Sequence, residues 1–334
     1  MKRRPTVRDV AAEAGVSRGT VSRVLNGGHW VSPDALAAVN AAITRTGYRI
    51  NPHARSLATK RTDSVAFLLT ESPKRLFEDP NFSTLLQGVA QALAAADRSL
   101  VVLMAGTDAE KRRANDYVQQ GHVDGVLLVS WHASGVDFLD DLVDAGVPVI
   151  ACGVPLGHEK RVGWVAADDA EGARDVVRYL RAIGRRRIAT IVGPADTSGG
   201  RERFAGYQDE LGAEFDGGLV AVGDYSRASG RTAMRALLDA GADCDAVFAA
   251  NDLMAAGALD VLAERGIRVP EQVAVVGFDD APIAIEVDPA LTTMRQPFDR
   301  ISGEMVRLLL QMIDDGQTPA SMVLPTTLVH RASA

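Results

Sequence analysis

The stretch Thr6–Asn26, "TVRDVAAEAGVSRGTVSRVLN", determines how the N-terminal part of the chain folds. Its apolar residues recur at the spacing of one helix face on both sides of Gly15-Val16. They are Val7, Val10, Ala11 and Ala14 before that pair, and Val21, Val24 and Leu25 after it. The pattern predicts two short helices joined by a tight turn.

A third helix follows, and its ends are marked by residues with known terminal preferences. Ser32 is a good N-cap, Pro33 suits the first helical position, and Gly47 suits the C-terminal end. The first helix has a similar start, because Thr6 can cap it with Asp9 three residues later. Residues 6–46 are therefore predicted to form three short helices, and residues 48–63 a polar connector.

The charge of the chain is divided unevenly. Residues 1–61 hold eleven Lys/Arg and three Asp/Glu, while the whole chain has a net charge of −7. The remaining residues therefore carry a net charge of −15. A basic head on an acidic body indicates that the head binds a polyanion, although a charge count alone also fits a solvated surface.

The second predicted helix presents a polar face opposite its apolar stripe. Arg18, Gly19, Ser22 and Arg23 fall together on that face because 3.6 residues make one helical turn. A recognition helix in the DNA major groove uses such a face, and arginine there can bind guanine through two hydrogen bonds. Thr20 and the backbone amides of the first turn suit phosphates. The pattern alone also fits a surface helix with two solvated arginines.

The hydrophobicity pattern changes at Ser64, where short apolar runs begin to alternate with helical patterns. Continuous apolar strands that alternate with helices predict parallel sheets covered on both faces. We expect two α/β subdomains that divide near 155–163, with the chain crossing back near 290–296. A ligand would bind in the cleft between them, at the carboxyl ends of the strands. The predicted strands are 65–69, 100–104, 125–130, 147–152, 187–193, 246–251 and 273–278.

Several classes of protein are disfavoured by what the sequence lacks. No apolar run approaches the roughly 20 residues of a membrane span, and no apolar segment follows the basic N-terminus as in a secretory signal. Cys152 and Cys244 form no metal-type pair, which predicts reduced thiols in a cytoplasmic protein. The sequence has no zinc-protease or phosphate-loop motif, and its six histidines have no ligand spacing. We therefore expect no enzyme, metal or cofactor.

The N-terminal stretch, together with "VSPDALAAVNAAITRTGYRINPHARSLAT", resembles the lactose-repressor/galactose-repressor (LacI/GalR) family of transcription regulators. The resemblance implies a helix-turn-helix head over residues 1–50, a hinge helix and linker over 51–63, and a body over 64–334. The body would resemble type I periplasmic sugar-binding proteins, with two α/β lobes of parallel sheets. The DNA-binding residues implied are Thr6, Ser17, Arg18, Gly19, Thr20, Ser22, Arg23, Asn26, Tyr48, Asn51, Arg55 and Leu57.

In that family the hinge helix becomes ordered on DNA, and its leucine is inserted into the minor groove. Leu57 occupies the matching position, and such a wedge bends the duplex. This chain departs from the family at Ile50, where proline is usual, but Pro52 still suits the first turn of a hinge helix. Its third helix is also poor in basic residues, which predicts fewer phosphate contacts from that helix.

The resemblance also implies an effector site in the body, formed by Phe82, Arg203, Tyr225, Asn251, Asp279 and Phe298. A carboxylate, a guanidinium and aromatic faces together suit a sugar ring. The alternatives are a structural ion pair between Arg203 and Asp279, and a core role for the two phenylalanines. Cys152-Gly153 stands where the family often has a polar residue, which predicts weaker hydroxyl contacts from the first lobe. Trp131 and Trp164 are candidates to replace them.

These features predict a cytoplasmic repressor that binds a palindromic DNA operator and is controlled by a small effector, with a sugar expected. A purine-like corepressor is the alternative within the family. A soluble sugar-binding protein and a sugar-active enzyme are more distant alternatives. A palindromic operator requires a two-fold homodimer. The segment "TLVHRASA" leaves no room for a heptad tail, so dimers rather than tetramers are expected.

Overall fold

The structure is a computed structural model that describes residues 5–25, 30–48, 61–133 and 136–334. It divides into two compact units, Met1–Thr62 and Asp63–Ala334. We call the first unit the head and the second the body. Among the described helices, none has the length and apolar character needed to cross a membrane.

The described part of the head contains three helices, as the sequence predicts: α1 (Val7–Ala14), α2 (Arg18–Leu25) and α3 (Pro33–Thr46). Thr6 starts α1, where its backbone N–H and its hydroxyl both donate to the Asp9 carboxylate, at 2.7 and 2.8 Å. Gly15 ends this helix with φ +67°, a left-handed conformation that glycine adopts without strain. Ser32 caps α3 by accepting a hydrogen bond from the Ala35 amide.

A small apolar core holds these helices together. Val10 and Val21 are fully buried against each other's helices, and Val39 and Ala42 of α3 complete the contact. Tyr48 closes the core and is only 8% exposed. Since the buried residues face inward, the polar face of α2 is left on the surface.

The first lobe of the body is built on a six-stranded parallel sheet. Its strand order is β2–β1–β3–β4–β5–β11, a doubly wound arrangement. The strands are β1 (Ser64–Leu69), β2 (Ser99–Met104), β3 (Gly125–Val129), β4 (Val149–Cys152), β5 (Gly163–Ala167) and β11 (Ser321–Leu324). The order reverses between β1 and β3, which is the point where such sheets bind ligands.

The second lobe repeats this arrangement in the order β7–β6–β8–β9–β10–β12. All neighbours are parallel except β12, which pairs with β10 in the antiparallel sense. The strands are β6 (Ile188–Val192), β7 (Val220–Val222), β8 (Ala246–Ala249), β9 (Ala274–Asp279), β10 (Thr292–Arg295) and β12 (Thr327–Val329). Here the order reverses between β6 and β8.

Helices cover both faces of each sheet. Those of the first lobe are α4 (Pro73–Glu78), α5 (Pro80–Ala95), α6 (Asp108–Gln119), α7 (Val136–Asp144) and α13 (Phe298–Asp315). Those of the second lobe are α8 (Asp169–Ala182), α9 (Ser198–Leu211), α10 (Arg227–Asp239), α11 (Asp252–Glu264) and α12 (Ile283–Glu286). Two short 3₁₀ turns, Gly212–Glu214 and Gly217–Leu219, lie between α9 and β7.

The continuous apolar strands are explained by burial on both faces. In β1, Phe67 packs in the core beneath α5 and α13, while the adjacent Leu68 packs in the core on the opposite face. In β8, Val247 and Phe248 likewise belong to opposite cores of the second lobe. Successive side chains of a strand point to opposite faces, so both must be apolar here.

The chain passes between the lobes three times, and the sequence predicted two of these passages. The first follows β5, near Asp168, and so lies later than the predicted 155–163 because 163–167 forms an unpredicted fifth strand of the first sheet. The second follows β10 at Gln296-Pro297, at the end of the predicted range. The third joins β11 to β12.

Twelve strands lie in the described body, compared with seven predicted. The five missed strands are β5, β7, β10, β11 and β12. Each has three to five residues, and β7, β11 and β12 lie at sheet edges with mostly half-exposed or exposed side chains. Runs this short carry no apolar pattern that distinguishes them from loops.

Candidate functional site

A cavity lies between the two lobes at the carboxyl ends of their strands. It encloses about 910 Å³ of space not filled by atoms, including its open mouth. Segments after β1, β3, β6 and β8 contribute to its walls, so the reversal points of both sheets meet here. The first-lobe wall includes Glu71, Asn81, Phe82, Ser130 and His132, and the second-lobe wall Asp169, Arg203, Tyr225, Asn251 and Asp279.

Asp279, the last residue of β9, is the centre of the polar contacts in this cavity. Its Oδ2 accepts a hydrogen bond from Asn81 Nδ2 of the first lobe at 2.7 Å. Its Oδ1 accepts one from Gln296 Nε2 at 2.6 Å. The carboxylate therefore joins the second lobe to both the first lobe and the crossing segment.

Burial dominates the electrostatics of Asp279. The side chain is only 5% exposed, and this burial raises its pKa to about 7, against the opposing effect of the nearby Arg203. The carboxyl group of Asp279 therefore gains or loses its proton near neutral pH. Its pKa would fall if a ligand supplied further hydrogen-bond donors to the ionised form.

Arg203 of α9 is buried beside Asp279 and is paired with two carboxylates. Its Nε donates to Asp169 Oδ1 at 2.8 Å, and its Nη1 lies 3.4 Å from Asp279 Oδ1. The guanidinium carbon lies 3.8 Å from the centre of the Phe278 ring. Burial alone would lower the pKa of Arg203, but the charges of Asp169 and Asp279 outweigh it and hold the pKa above its ordinary value. The side chain is thus a fixed cation.

Tyr225 is held in the cavity wall by a close backbone approach. Its hydroxyl lies 3.2 Å from Thr197 Oγ1. A Cβ atom on Gly193 would lie 2.4–2.5 Å from the tyrosine ring, so only glycine fits there. Burial raises the pKa of Tyr225, which keeps its hydroxyl protonated.

Asn251 links Tyr225 to the start of α11. Its Oδ1 caps that helix by accepting from the Met254 amide at 2.9 Å, and its Nδ2 donates to the Tyr225 carbonyl at 3.0 Å. The neighbouring Asp252 is fully buried and accepts hydrogen bonds from Thr293 Oγ1 and the Ala281 amide. Asn251 therefore lines the cavity and also fixes the backbone of Tyr225 in the cavity wall.

Three residues at the cavity have backbone angles that are rare outside glycine. Ser130, Tyr225 and Asp279 have φ values of +60°, +69° and +110°. Each conformation of this kind costs about 1–3 kcal/mol and persists where the surroundings enforce it. Such strain clusters at functional sites, which supports a functional role for this cavity.

Aromatic side chains at the first-lobe side supply part of the apolar surface of the cavity. Phe82 and Phe298 are half-buried, line the cavity and pack against the core of the first lobe. Trp131 also lines it and donates from Nε1 to the Leu156 carbonyl at 3.2 Å. Trp164 instead packs into the first-lobe core and is not part of the wall.

In the head, the polar face of α2 is exposed as its sequence predicts. Ser17, Arg18, Gly19, Ser22 and Arg23 are all exposed, and Thr20 is half-buried. Ser17 starts the helix, because its Oγ accepts from the Thr20 amide at 3.1 Å and lies 3.0 Å from the Thr20 hydroxyl. Both arginines are thus exposed on α2, the helix whose side chains would enter the major groove.

Comparison with known proteins identifies this combination of head and body. Residues 6–51 match the model of bacterial regulatory proteins of the lacI family, and residues 177–334 match a periplasmic binding protein-like domain. The chain is 45% identical over 338 residues to the transcriptional regulator CelR of Thermobifida fusca, with 99% of each chain covered. The chain belongs to the lacI family. It is also 34% identical to the regulator AscG of Escherichia coli, with 98% of each chain covered.

Solved structures show the same architecture. A CelR–cellobiose complex matches with a TM-score of 0.79 and 44% identity over 99% of this chain and 100% of that one. A lac repressor dimer bound to operator and an anti-inducer matches with a TM-score of 0.86 and 29% identity over 99% of both chains. This lacI-family protein is thus a helix-turn-helix, DNA-binding regulator of transcription, of the repressor type, and is not an enzyme.

All six residues predicted for the effector site of this lacI-family protein line the one cavity, but their binding role stays a prediction. The alternative of a structural ion pair also fits the free protein, since Arg203 Nη1 lies 3.4 Å from Asp279 Oδ1 within the cavity wall. Polar groups of the first lobe come from Glu71, Asn81 and His132 rather than from the Cys152-Gly153 segment.

Three further residues of the cavity wall, Glu71, His132 and Asp169, were not predicted from the sequence. Glu71 follows β1 by two residues, His132 follows β3 by three, and Asp169 starts α8 after β5. Their position after strand ends at the reversal of strand order was the available signal.

The other residues predicted to contact DNA lie in different surroundings or outside the described residues. Thr6 is half-buried and engaged with Asp9. Tyr48 lies in the core of the head, which leaves little of its surface for DNA. Asn26, Asn51, Arg55 and Leu57 lie outside the described residues.

Proposed function

We propose that the effector of this regulator is a sugar, and that cellobiose, a β-linked disaccharide of glucose, is the first candidate. The support is twofold. A relative of 45% identity is named CelR, and a CelR structure is described as a cellobiose complex. The cavity of this chain also has the chemistry that a sugar needs.

The observation that carries this proposal is the arrangement around Asp279. Each oxygen of its carboxylate accepts one amide hydrogen bond, from Gln296 or Asn81, and a carboxylate oxygen can accept more than one. Arg203 lies beside it as a buried donor. Sugar hydroxyls are both donors and acceptors, so adjacent hydroxyls of one ring suit this pairing.

The aromatic side chains complete the proposed site. Phe82 and Phe298 supply apolar surface near the polar cluster, and Tyr225 adds a hydroxyl on the second lobe. The C–H faces of a pyranose suit such rings, while its edge carries the hydroxyls. A ligand bound here contacts both lobes at once, and it can therefore favour one arrangement of the lobes over another.

The proposed mechanism is a coupling between this cavity and DNA. An effector that favours one arrangement of the lobes changes the spacing of two hinge segments, 51–63, in a dimer, and so changes operator affinity. We further propose that Arg18 and Arg23 read the half-sites of a palindromic operator and that Leu57 is inserted at its central CG step. Since its partner is chromosomal DNA, we place the protein in the cytoplasm.

The experiment is a ligand screen with a matched pair of disaccharides. Cellobiose and maltose contain the same two glucose units and differ in the linkage. We expect cellobiose to raise the melting temperature and to change the affinity for an operator duplex selected from a random DNA pool, and maltose to do neither.

Two outcomes would contradict the proposal. A response to a purine such as hypoxanthine, with none to sugars, would establish the corepressor alternative. Equal responses to cellobiose and maltose would show that the site does not recognise the β-linkage, and the cellobiose assignment would then be withdrawn.

A further inference from the structure

His132 contacts carboxylates from both lobes. It lies in the segment after β3 of the first lobe, and its Nε2 is 3.0 Å from Glu71 Oε1 of the same lobe. Its Nδ1 is 3.1 Å from Asp196 Oδ2, in the segment after β6 of the second lobe. The imidazole ring therefore bridges the lobes at the edge of the cavity.

The surroundings hold this bridge in place. Glu71 Oε1 also accepts a hydrogen bond from Ser130 Oγ at 2.7 Å, which fixes the carboxylate on the first lobe. The adjacent Ala133 amide donates to the Asp196 carbonyl at 2.9 Å, a backbone hydrogen bond between the lobes. The His132 side chain is 29% exposed, so its pairs are partly protected from water.

The number of protons on the ring decides how many of these contacts are hydrogen bonds. A neutral imidazole has one N–H and can donate to only one carboxylate, whereas an imidazolium donates from both nitrogens. Both ring nitrogens of His132 face carboxylate oxygens, which accept and cannot donate when ionised. The complete bridge therefore requires the protonated ring.

The charges around the ring favour that form. The hydrogen bond with Glu71, and then that with Asp196, raise the pKa of His132 against the effect of burial. Two arginines act on these partners or beside them: Arg75 of α4 acts on Glu71, and Arg201 of α9 donates to the Ala195 carbonyl next to Asp196. The charged groups that act on the ring itself are the carboxylates of Glu71 and Asp196.

We propose that His132 is a positioning residue that holds the lobes together when protonated and releases Asp196 when it loses its proton. The inference goes beyond effector recognition, because the bridge exists in the free protein and does not depend on which effector binds. The direction of the pH effect follows from the contact between His132 and Asp196. Because the closed arrangement provides Asp196 as a partner, closure stabilises the proton, and falling pH favours closure. Rising pH removes this contribution once the ring is neutral.

The test measures hydrogen exchange of the Ala133 amide in the free, full-length protein. This amide donates across the lobes, so its protection reports closure directly. After correction for intrinsic exchange, we expect protection to be about two- to five-fold greater at about pH 6 than at about pH 8. A change of this size is expected for the loss of a partly exposed ion pair.

Two variants and one control make the test decisive. His132→Gln and Asp196→Ala should each abolish the pH dependence, and the second keeps the Asp196 backbone carbonyl and the Glu71–His132 pair. His122→Gln is the control, since His122 is exposed, lies before β3 at the opposite end of that strand, and should leave the pH dependence unchanged. Equal protection at both pH values in the unaltered protein, or a pH dependence that survives in either variant, would overturn the proposal.

Discussion

At the scale of single residues, Asp279 and Arg203 have a structural contact and a proposed binding role at the same time. Arg203 Nη1 lies 3.4 Å from Asp279 Oδ1 and both side chains are buried, so either residue could affect stability through this ion pair alone. However, each also has other fixed partners: Asn81 and Gln296 hold Asp279, and Asp169 holds Arg203. Loss of one residue therefore leaves the other partly satisfied, and the two roles can be separated.

We predict that Asp279→Asn and Arg203→Ala each weaken effector binding by about ten-fold or more, since a hydrogen bond to a charged group contributes about 1.5–3 kcal/mol. Affinity for operator DNA without effector should change little. The measurements are an effector titration and thermal melting of the free protein.

The surface pair Asp260–Arg227, 2.7 Å apart in the same lobe and outside the cavity, provides the matched control. Asp260→Asn and Arg227→Ala should leave effector affinity unchanged. If the cavity variants melt early and yet respond to effector normally, the two residues are structural and do not belong to the site.

At the scale of elements, the helices and central strands were predictable because each has a local signal. Ser32, Pro33 and Gly47 mark the ends of α3, and the structure begins and ends that helix at the predicted residues. β1, β3 and β9 are buried on both faces, so their apolar runs are unbroken. These signals depend on neighbouring residues in the chain, which a sequence displays directly.

Long-range pairing was not predictable in the same way. β11 and β12 are consecutive along the chain but belong to different sheets, beside β5 and β10. Their membership depends on partners more than 30 residues away, and nothing within either strand specifies it. For the same reason, the bridge from His132 to Asp196 could not be read from residues 64 positions apart.

The element proposed to read DNA is α2, and substitution of one of its arginines distinguishes base recognition from a general effect of charge. Arg18→Ala should weaken binding to the selected operator by roughly 1–3 kcal/mol and relax specificity at one position of each half-site. Binding to random DNA should fall much less, since a base contact adds little there. Competition binding with both kinds of duplex measures the difference.

Arg45→Ala is the matched control in the head. Arg45 lies on α3 and pairs with Glu13 at 2.7 Å, away from the predicted reading face. Its loss should leave sequence preference unaltered. If Arg18→Ala weakens selected and random DNA equally, Arg18 contacts only phosphate, and the reading role assigned to it is wrong.

At the scale of the whole molecule, one head can read only one half of a palindrome, so the proposed operator requires two copies of the chain. A two-fold dimer brings the same patch of each copy together. Two large apolar side chains of the second lobe, Val222 at the end of β7 and Ile285 in α12, are 72% and 69% exposed. We propose that they lie in the dimer interface, where a second copy would cover them.

We predict that the protein is a dimer at micromolar concentration and that Val222→Lys or Ile285→Lys shifts it towards monomers, because burying a lysine charge in an apolar interface costs free energy. Affinity for the full palindrome should then fall by about ten-fold or more, as the link between the heads is lost, while affinity for a half-site is kept. Light scattering measures the first effect and DNA titration the second.

Ile183→Lys is the control, since Ile183 is 43% exposed just after α8 and its substitution should change neither the oligomeric state nor the DNA affinity. Monomers or stable tetramers of the unaltered protein would contradict the dimer, and undisturbed dimers of both interface variants would place the interface elsewhere on the body.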